Sequence, residues 1–259
     1  MWLDLPALES ALDTEFVGRR LIYLTSTTST MDVARAEAEA GAPEGTIVVA
    51  EEQTAGRGRF GREWVSPAGK NIYVTILLRP TADRLRRLSM LSPLAVALAV
   101  EEATGMAAQI KWPNDVLLSG RKVSGILIDT ELAGAEPRYA LDGIGINVNF
   151  DIPADSEIAE IATSVKTELA RETAREPILA SLLNRIEKLY EQEDGEAVRS
   201  AWRNRLETLG KQVRLAFHGE VHEGLAEDVD AEGNLVLLRA DGTRHSYAAG
   251  EVSLRGPDE

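Results

Sequence analysis

Gln53-Thr-Ala-Gly56-Arg57-Gly58-Arg59-Phe60-Gly61-Arg62-Glu63-Trp64 alternates three glycines with three arginines. Glycine lets the backbone enter left-handed conformations and approach a ligand closely. Each arginine adds a permanently charged planar fork that suits carboxylate or phosphate. Between Gly56 and Lys70 four basic residues face one acid, whereas the whole chain carries a formal charge of −14. A cationic loop on an acidic protein reads either as an anion clamp or as a solvated loop with a packing tryptophan. The stretch alone leaves both readings open. It is neither Gly-x-Gly-x-x-Gly nor a phosphate loop ending in Gly-Lys-Ser/Thr, so the standard nucleotide signatures do not transfer. Its flanks decide the fold. A β-branched run over 46–50 leads in and an apolar run over 71–78 leads out, so it joins two neighbouring strands. A connection of about 20 residues between neighbouring strands is far longer than a structural turn needs and points to function.

Working outward, 259 residues suffice for one large core or for a core with a small satellite. The acidic balance argues against a nonspecific nucleic-acid or membrane-surface binder, because attraction to phosphate needs clustered positive charge. The absence of cysteine excludes disulfides and thiolate metal sites, and it fits a reducing compartment. Met1-Trp-Leu-Asp-Leu-Pro has no basic segment followed by an apolar one, so no signal peptide is expected. The longest apolar run, 93–100, is too short to span a bilayer. The expected setting is the cytoplasm, with no membrane partner.

Residues 5–16 read as a short helix and 20–24 as an alternating strand. Thr25-Ser-Thr-Thr-Ser29-Thr30 offers several N-caps for a helix over 31–40 that stops at Gly41. The longest helical pattern spans 83–104, with Pro93 inside it. Short strands at 108–111 and 116–118 flank Trp112-Pro113-Asn114-Asp115, and Ser119-Gly120-Arg121-Lys122 reads as a hairpin turn. Residues 123–132 and 139–149 pair as strands; 156–169 is weakly helical, and 176–193 and 195–206 are clear helices. After Gly210 five short strands are separated by turn residues, which predicts a small all-β barrel of about 50 residues. The expected division is residues 1–208 and 209–259.

Asn114-Asp115 at a strand end either caps its own turn or holds magnesium and phosphates through oxygen. Lys122 opens a strand containing Gly125, and Gly143-Ile-Gly145-Ile-Asn147 places two more glycines in a strand. Strand glycines ask for close approach by a ligand or by other backbone, and together they leave room for a flat ligand over the sheet. His218, His222 and His245 all fall in the small barrel without a Ser or Cys nucleophile or a third metal ligand; they read as surface. No Ser/His/Asp hydrolase and no zinc site follows.

Ser29-Thr30, Gln53-x-x-Gly-Arg-Gly-Arg-x-Gly-Arg62-x-Trp64, Lys111-Trp-Pro-Asn-Asp115, Arg121-Lys122-x-x-Gly125-Ile-Leu and Gly143-Ile-Gly-Ile-Asn147 stand in the order and spacing of biotin–protein ligases. The resemblance runs from about Leu21 to Arg255. It implies an α+β fold: a mixed β-sheet flanked by helices, of the class II synthetase-like kind, with a C-terminal SH3-like β-barrel. It implies two half-reactions, biotin plus ATP giving biotinyl-AMP and pyrophosphate, then transfer of biotin to a lysine of a biotin carboxyl carrier domain of a carboxylase.

By the same resemblance Ser29, Thr30, Met31, Gln53, Gly56, Arg57, Gly58, Arg59, Lys122 and Gly125 line the biotin side. Arg59, Arg62, Trp64, Asn114, Asp115, Lys122 and Asn147 line the ATP side, with Asp115 the candidate Mg²⁺ ligand. Lys122, Arg57 and Arg59 are the catalytic cations. Met31 departs from the family pattern, in which many relatives carry Asn after Ser-Thr. Some ligases of this family carry an N-terminal helix-turn-helix; a first core strand near Arg20 leaves no room for one, so a ligase without DNA partner is expected. Oligomeric state, a homodimer included, stays open. A lipoate–protein ligase or a non-catalytic biotin sensor on the same fold are the alternatives. The arginine-rich loop argues against the first and the ATP-side residues against the second.

Overall fold

The computed structural model describes residues 2–254; Arg255, where the expected resemblance ends, lies outside them. A seven-stranded sheet forms the body: β1 (Leu21–Leu24), β2 (Ile47–Ala50), β3 (Ile72–Leu78), β4 (Ala108–Lys111), β5 (Asp115–Leu118), β6 (Arg121–Ala133) and β7 (Glu136–Ile146). Their order across the sheet is β1-β2-β3-β7-β6-β5-β4. Only β1 and β2 run parallel, which makes the sheet mixed.

The helices are α1 (Leu5–Ser10), α2 (Thr30–Glu39), α3 (Ala82–Thr104), α4 (Val165–Leu169), α5 (Glu176–Glu191) and α6 (Gly195–Arg203). Every position of β3 is buried, as expected of a central strand covered on both faces. Ile72, Val74, Ile76 and Leu78 join the larger cluster with α3 and α5, while Leu77 joins Met31, Ala34 and Ala38 of α2. The period-2 alternation thus assigns one face of the sheet to the main core and the other to α2. A second, antiparallel sheet follows, made of β8 (Gln212–Phe217), β9 (Glu220–Val229), β10 (Leu235–Leu238), β11 (Arg244–Tyr247) and β12 (Glu251–Leu254), in the order β11-β10-β9-β8-β12. The indole N–H of Trp112 donates to Gly233 O at 3.0 Å and ties the two sheets together. Among the described residues no helix is long and apolar enough to cross a membrane.

Three expectations need correction. The first helix ends at Ser10 rather than near residue 16. The Glu187 carboxylate of α5 accepts from the backbone N–H groups of Glu15, Phe16 and Val17, so a tertiary partner takes the donors that a longer helix would have used. Between 156 and 164 there are turns, and helix appears only at Val165–Leu169 with Ser164 as N-cap. Here Lys122 N donates to Ile161 O and Thr163 N to Lys122 O, both at 2.8 Å, which draws the segment alongside β6 instead. His222 is not a free surface group: it stacks on Tyr247 at 4.9 Å and lies 3.0 Å from the Arg239 guanidinium.

Candidate active site

One cavity of about 490 Å³ opens on the α2 face of the large sheet, and every expected site residue lines it except Gly56. A volume of this size holds a drug-sized ligand.

Its deep end is built by the start of α2. Ser29 has extended backbone and caps the helix, its Oγ accepting from Met31 N at 3.3 Å. Thr30 N and Thr30 Oγ1 both donate to Gln53 Oε1, at 2.9 and 3.0 Å. The Met31 thioether lies against Gly143, where a Cβ would stand 3.0 Å from its sulfur. All three residues from Ser29 to Met31 are buried.

The strand glycines are needed, but by the protein's own side chains. A Cβ on Gly145 would meet Trp64 Nε1 at 2.5 Å, and one on Gly125 would meet Lys122 at 3.1 Å and Trp64 at 3.2 Å. The flat group over these glycines is therefore the Trp64 indole, whose N–H is buried without a hydrogen-bond partner. Gly56 serves the same packing: a Cβ there would fall 2.4 Å from Trp64 O, because the two limbs of the loop cross at that point.

Lys122 reaches the cavity through a β-bulge. Val116 and Leu117 of β5 pair with Ser124 and Lys122, leaving Val123 as the extra residue. Simple alternation would send Lys122 to the face of Ser124; the bulge returns it to the face of Gly125. Its ammonium sits 2.7 Å from Asp115 Oδ1 and 5.3 Å from the Trp64 ring centre.

The Gly/Arg loop forms the roof. It contains a single 3₁₀ turn, Arg59–Gly61, in which Phe60 takes a left-handed conformation (φ 57°) and stays exposed. Arg57 pairs with Asp32 at 2.6 Å, and Arg62 pairs with Glu251. Arg59 donates to Asn114 Oδ1 at 3.0 Å and Gly250 O at 3.3 Å. Burial pushes the Arg59 guanidinium below its ordinary value, against the opposing pull of the Asp115 and Glu251 carboxylates. Asn114 Nδ2 donates to Ile126 O of the neighbouring β6 at 2.6 Å, so the amide ties its turn to that strand while its oxygen accepts from the arginine. Asn147 Nδ2 donates to Thr163 O at 3.1 Å and fastens the 156–163 segment to the sheet.

Among the described residues no three His, Asp or Glu side chains gather as a metal cage. Asp115 is a lone carboxylate beside Lys122, which fits Mg²⁺ carried in by nucleotide phosphates rather than a resident ion. Three contributors escaped sequence reasoning: exposed Phe60, exposed Ile161, and the Gly250–Val252 edge of the second sheet, all of which line the cavity. Nothing local in the sequence marks Gly250 or Glu251, since their role depends on how the second sheet packs.

The Biotin/lipoate A/B protein ligase family profile matches residues 21–147, and that of the biotin protein ligase C-terminal domain matches residues 208–255. The biotin--[acetyl-CoA-carboxylase] ligase of Paracoccus denitrificans is 36% identical over 220 residues, 81% of this chain and 90% of that one. The bifunctional ligase/repressor of Bacillus subtilis is 35% identical over 92% of this chain and 75% of its own length. The chain belongs to the biotin protein ligase family. Among solved structures, the biotin protein ligase of Aquifex aeolicus in complex with biotin and ATP superimposes with a TM-score of 0.77 at 32% identity, covering 92% of this chain and 99% of that one. As a member of this family the chain is an ATP-dependent ligase, and its α+β fold with a C-terminal antiparallel sheet is the fold the resemblance implied.

Proposed function

We propose that the chain joins biotin to ATP, forming biotinyl-5′-AMP and pyrophosphate, and then transfers biotin to a lysine of a biotin carboxyl carrier domain of a carboxylase. The observation that carries this reading is the convergence of Lys122, Arg57 and Arg59 on one cavity that holds no activated Ser, Cys or His nucleophile. Biotin brings its own nucleophile. A carboxylate oxygen attacks the α-phosphorus, the bond to the β-phosphate oxygen breaks, and pyrophosphate leaves. The acceptor lysine amine then attacks the acyl carbon, forming an amide and releasing AMP and a proton.

The obstacle in the first step is the repulsion of two anions, which fixed cations cancel. Lys122, beside Asp115, bridges carboxylate and α-phosphate; Arg57 and Arg59 close on the same charges from the roof. Ser29, Thr30, Met31, Gln53 and Gly125 seat biotin, with Gly56 and Gly58 shaping the loop above it. Arg62, Trp64, Asn114, Asp115 and Asn147 border the nucleotide. Mg²⁺ would be held by Asp115 and would neutralise phosphate charge. The closed loop keeps water from the mixed anhydride until the amine arrives.

Residues 1–208 form the catalytic unit and 209–259 the accessory one. A net charge of −14 disfavours binding to a duplex and supports a ligase without repressor function; the absence of cysteine fits action in a reducing compartment, the cytoplasm. Mass spectrometry of a carrier domain incubated with the protein, biotin and MgATP tests the reading; an unmodified carrier overturns it. Salt-sensitive binding to operator-like DNA would overturn the absence of a repressor role.

A further inference from the structure

Behind the residues that face the cavity runs a chain of hydrogen bonds that the sequence did not announce. Thr75 Oγ1, on β3 and fully buried, lies 2.8 Å from Thr30 Oγ1. Thr30 reaches Gln53 Oε1 through both its backbone N–H and its hydroxyl. Gln53 Nε2 lies 3.1 Å from Ser66 Oγ, and Ser66 Oγ lies 2.8 Å from Trp64 O.

Two groups in this chain cannot change roles, and they orient all the others. A backbone N–H only donates, so Thr30 N forces the oxygen of the Gln53 amide toward α2. A carbonyl only accepts, so Trp64 O takes the Ser66 proton and leaves Ser66 Oγ to accept from Gln53 Nε2. With Oε1 an acceptor, the Thr30 hydroxyl must spend its proton there. Thr75 must then donate into Thr30 Oγ1. The protons run one way, from Thr75 through Thr30, Gln53 and Ser66 to the Trp64 carbonyl.

We infer that Thr75 and Ser66 are positioning residues: Thr75 occupies one lone pair of Thr30 Oγ1 and Ser66 one amide hydrogen of Gln53, and together they hold the remaining lone pair and N–H toward the head group of the acid. What remains for a ligand is one lone pair on Thr30 Oγ1, one N–H on Gln53, and the hydroxyl proton of Ser29, whose oxygen already accepts from Met31 N. A cyclic urea fits this set by placing one N–H on the Thr30 lone pair and its carbonyl, with two lone pairs, against the Gln53 and Ser29 donors, its second N–H falling outside the set. A dithiolane ring or an alkyl tail offers neither donor nor strong acceptor and would leave the buried set unmatched, at a cost in affinity. Carriage of the network's last link by Trp64 also couples head-group recognition to the loop that closes the cavity. The inference rests on biotin being the acid that is activated.

The test uses the full chain and steady-state adenylation, read by pyrophosphate release, with biotin, with desthiobiotin (same urea ring, no sulfur) and with octanoate. Wild type must turn over biotin; if it does not, the ligase reading fails and this inference with it. Given that turnover, Thr75→Val should raise KM for biotin and for desthiobiotin alike by about fivefold, the weight of one neutral hydrogen bond. Ser66→Ala should raise both by about tenfold, since the Gln53 amide is then held at its oxygen alone and its N–H group loses its brace. In both variants kcat, KM for ATP and the thermal midpoint should stay near wild type, and Thr75→Ser should restore biotin KM. An unchanged biotin KM in Thr75→Val and Ser66→Ala would overturn the inference. So would losses confined to kcat or ATP, a loss that spares desthiobiotin, or a Thr75→Ser variant as impaired as Thr75→Val.

Discussion

Roof and floor of the cavity are held by opposite means. The roof, residues 56–62, is charged and exposed, and its side chains are engaged by ion pairs such as Arg57–Asp32 and Arg62–Glu251, with more than two fifths of each side chain in solvent. The floor is neutral and buried, and its polar atoms are satisfied by the directed chain from Thr75 to Trp64. Just beneath it, charges are fully desolvated: Glu51 is wholly buried, accepts from Arg175 at 2.7 Å, Tyr23 OH at 2.6 Å and Leu3 N at 2.7 Å, and stands two residues before Gln53. Exposed pairs are worth little and re-form easily, whereas a buried pair cannot be half-broken without a large penalty. A roof that must open and close for substrate is built from the first kind. A floor that must keep its geometry is braced from beneath by the second. Substitutions of the buried charges beneath the floor should therefore act on stability, those in its hydrogen-bond chain on the binding of the acid, and those around the cations on rate.

The largest effect is expected at Glu51. Burial raises its carboxyl, but Arg175, Tyr23 and Leu3 N outweigh burial and hold it below the usual carboxylate range. Glu51→Gln leaves the Arg175 guanidinium buried against a neutral partner and should cost about 3–5 kcal/mol in chemical denaturation. The rate per folded molecule should stay close to wild type. A loss below about 1 kcal/mol would place this pair with the exposed ones and erase the contrast.

Asp142 gives the floor a pH dependence of the opposite sign. It points from β7 toward α3, accepts from Ser92 Oγ at 2.6 Å, and leaves Oδ1 without a partner. Burial pushes its carboxyl up to about 7, with the Ser92 bond pulling modestly the other way. Because the folded value is raised, its contribution is fully present below the unfolded value near 4 and is lost as pH rises toward 7. The shift of about 3 units corresponds to roughly 4 kcal/mol. Glu51, whose value is depressed, contributes fully above its ordinary value and loses that contribution only as pH falls below it, on the acid side of the Asp142 window. Stability measured from pH 4 to 8 should fall across that window, and Asp142→Asn should flatten the fall.

At Lys122 the effect moves from stability to chemistry. Lys122→Met keeps the stem and removes the charge. Adenylation in single turnover should slow by about 10²–10³-fold, while transfer from supplied biotinyl-AMP, whose phosphate is already bonded, should suffer less. Lys122→Arg should rescue only in part, being longer and planar. Adenylation near wild type in Lys122→Met would reduce Lys122 to the partner of Asp115.

How much of this was legible follows from which interactions are local. The Gly/Arg loop, its two flanking strands, the Ser29 cap and the α3 boundary at Gly105 all rest on near-neighbour chemistry and stand where the sequence places them. Lys122 and Gly125 were found as a motif, but the bulge at Val123 that brings them to one face is a property of pairing with β5 and leaves no local mark. The strand glycines signalled close approach correctly; that the visitor at Gly125 and Gly145 is Trp64 depends on the path of a loop about 60 to 80 residues upstream of them. The α1 overrun failed for the same reason, since the Glu187 carboxylate that ends it comes from α5. Thr75 sits in an apolar strand where a threonine reads as β-branched filler. Only the position of Thr30 across from it makes the hydroxyl matter.

The smallest stability effect is expected at Glu251, and it isolates the roof. Its carboxyl is held below the ordinary range chiefly by the Arg62 guanidinium, with burial opposing. Since both side chains are largely exposed, Glu251→Gln should change global stability by no more than about 0.5 kcal/mol. The loop itself should respond more than the fold, because three glycines and three mutually repelling arginines give residues 56–62 little reason to hold one shape once that anchor is removed. Amide hydrogen exchange read over this segment should therefore quicken in the variant without ligand and return to the wild-type level when biotinyl-AMP is bound, since the phosphate then supplies the counter-charge that Glu251 had supplied. Equal exchange in all four states would mean that the roof is as fixed as the floor, and the division between an opening surface and a rigid one would be lost.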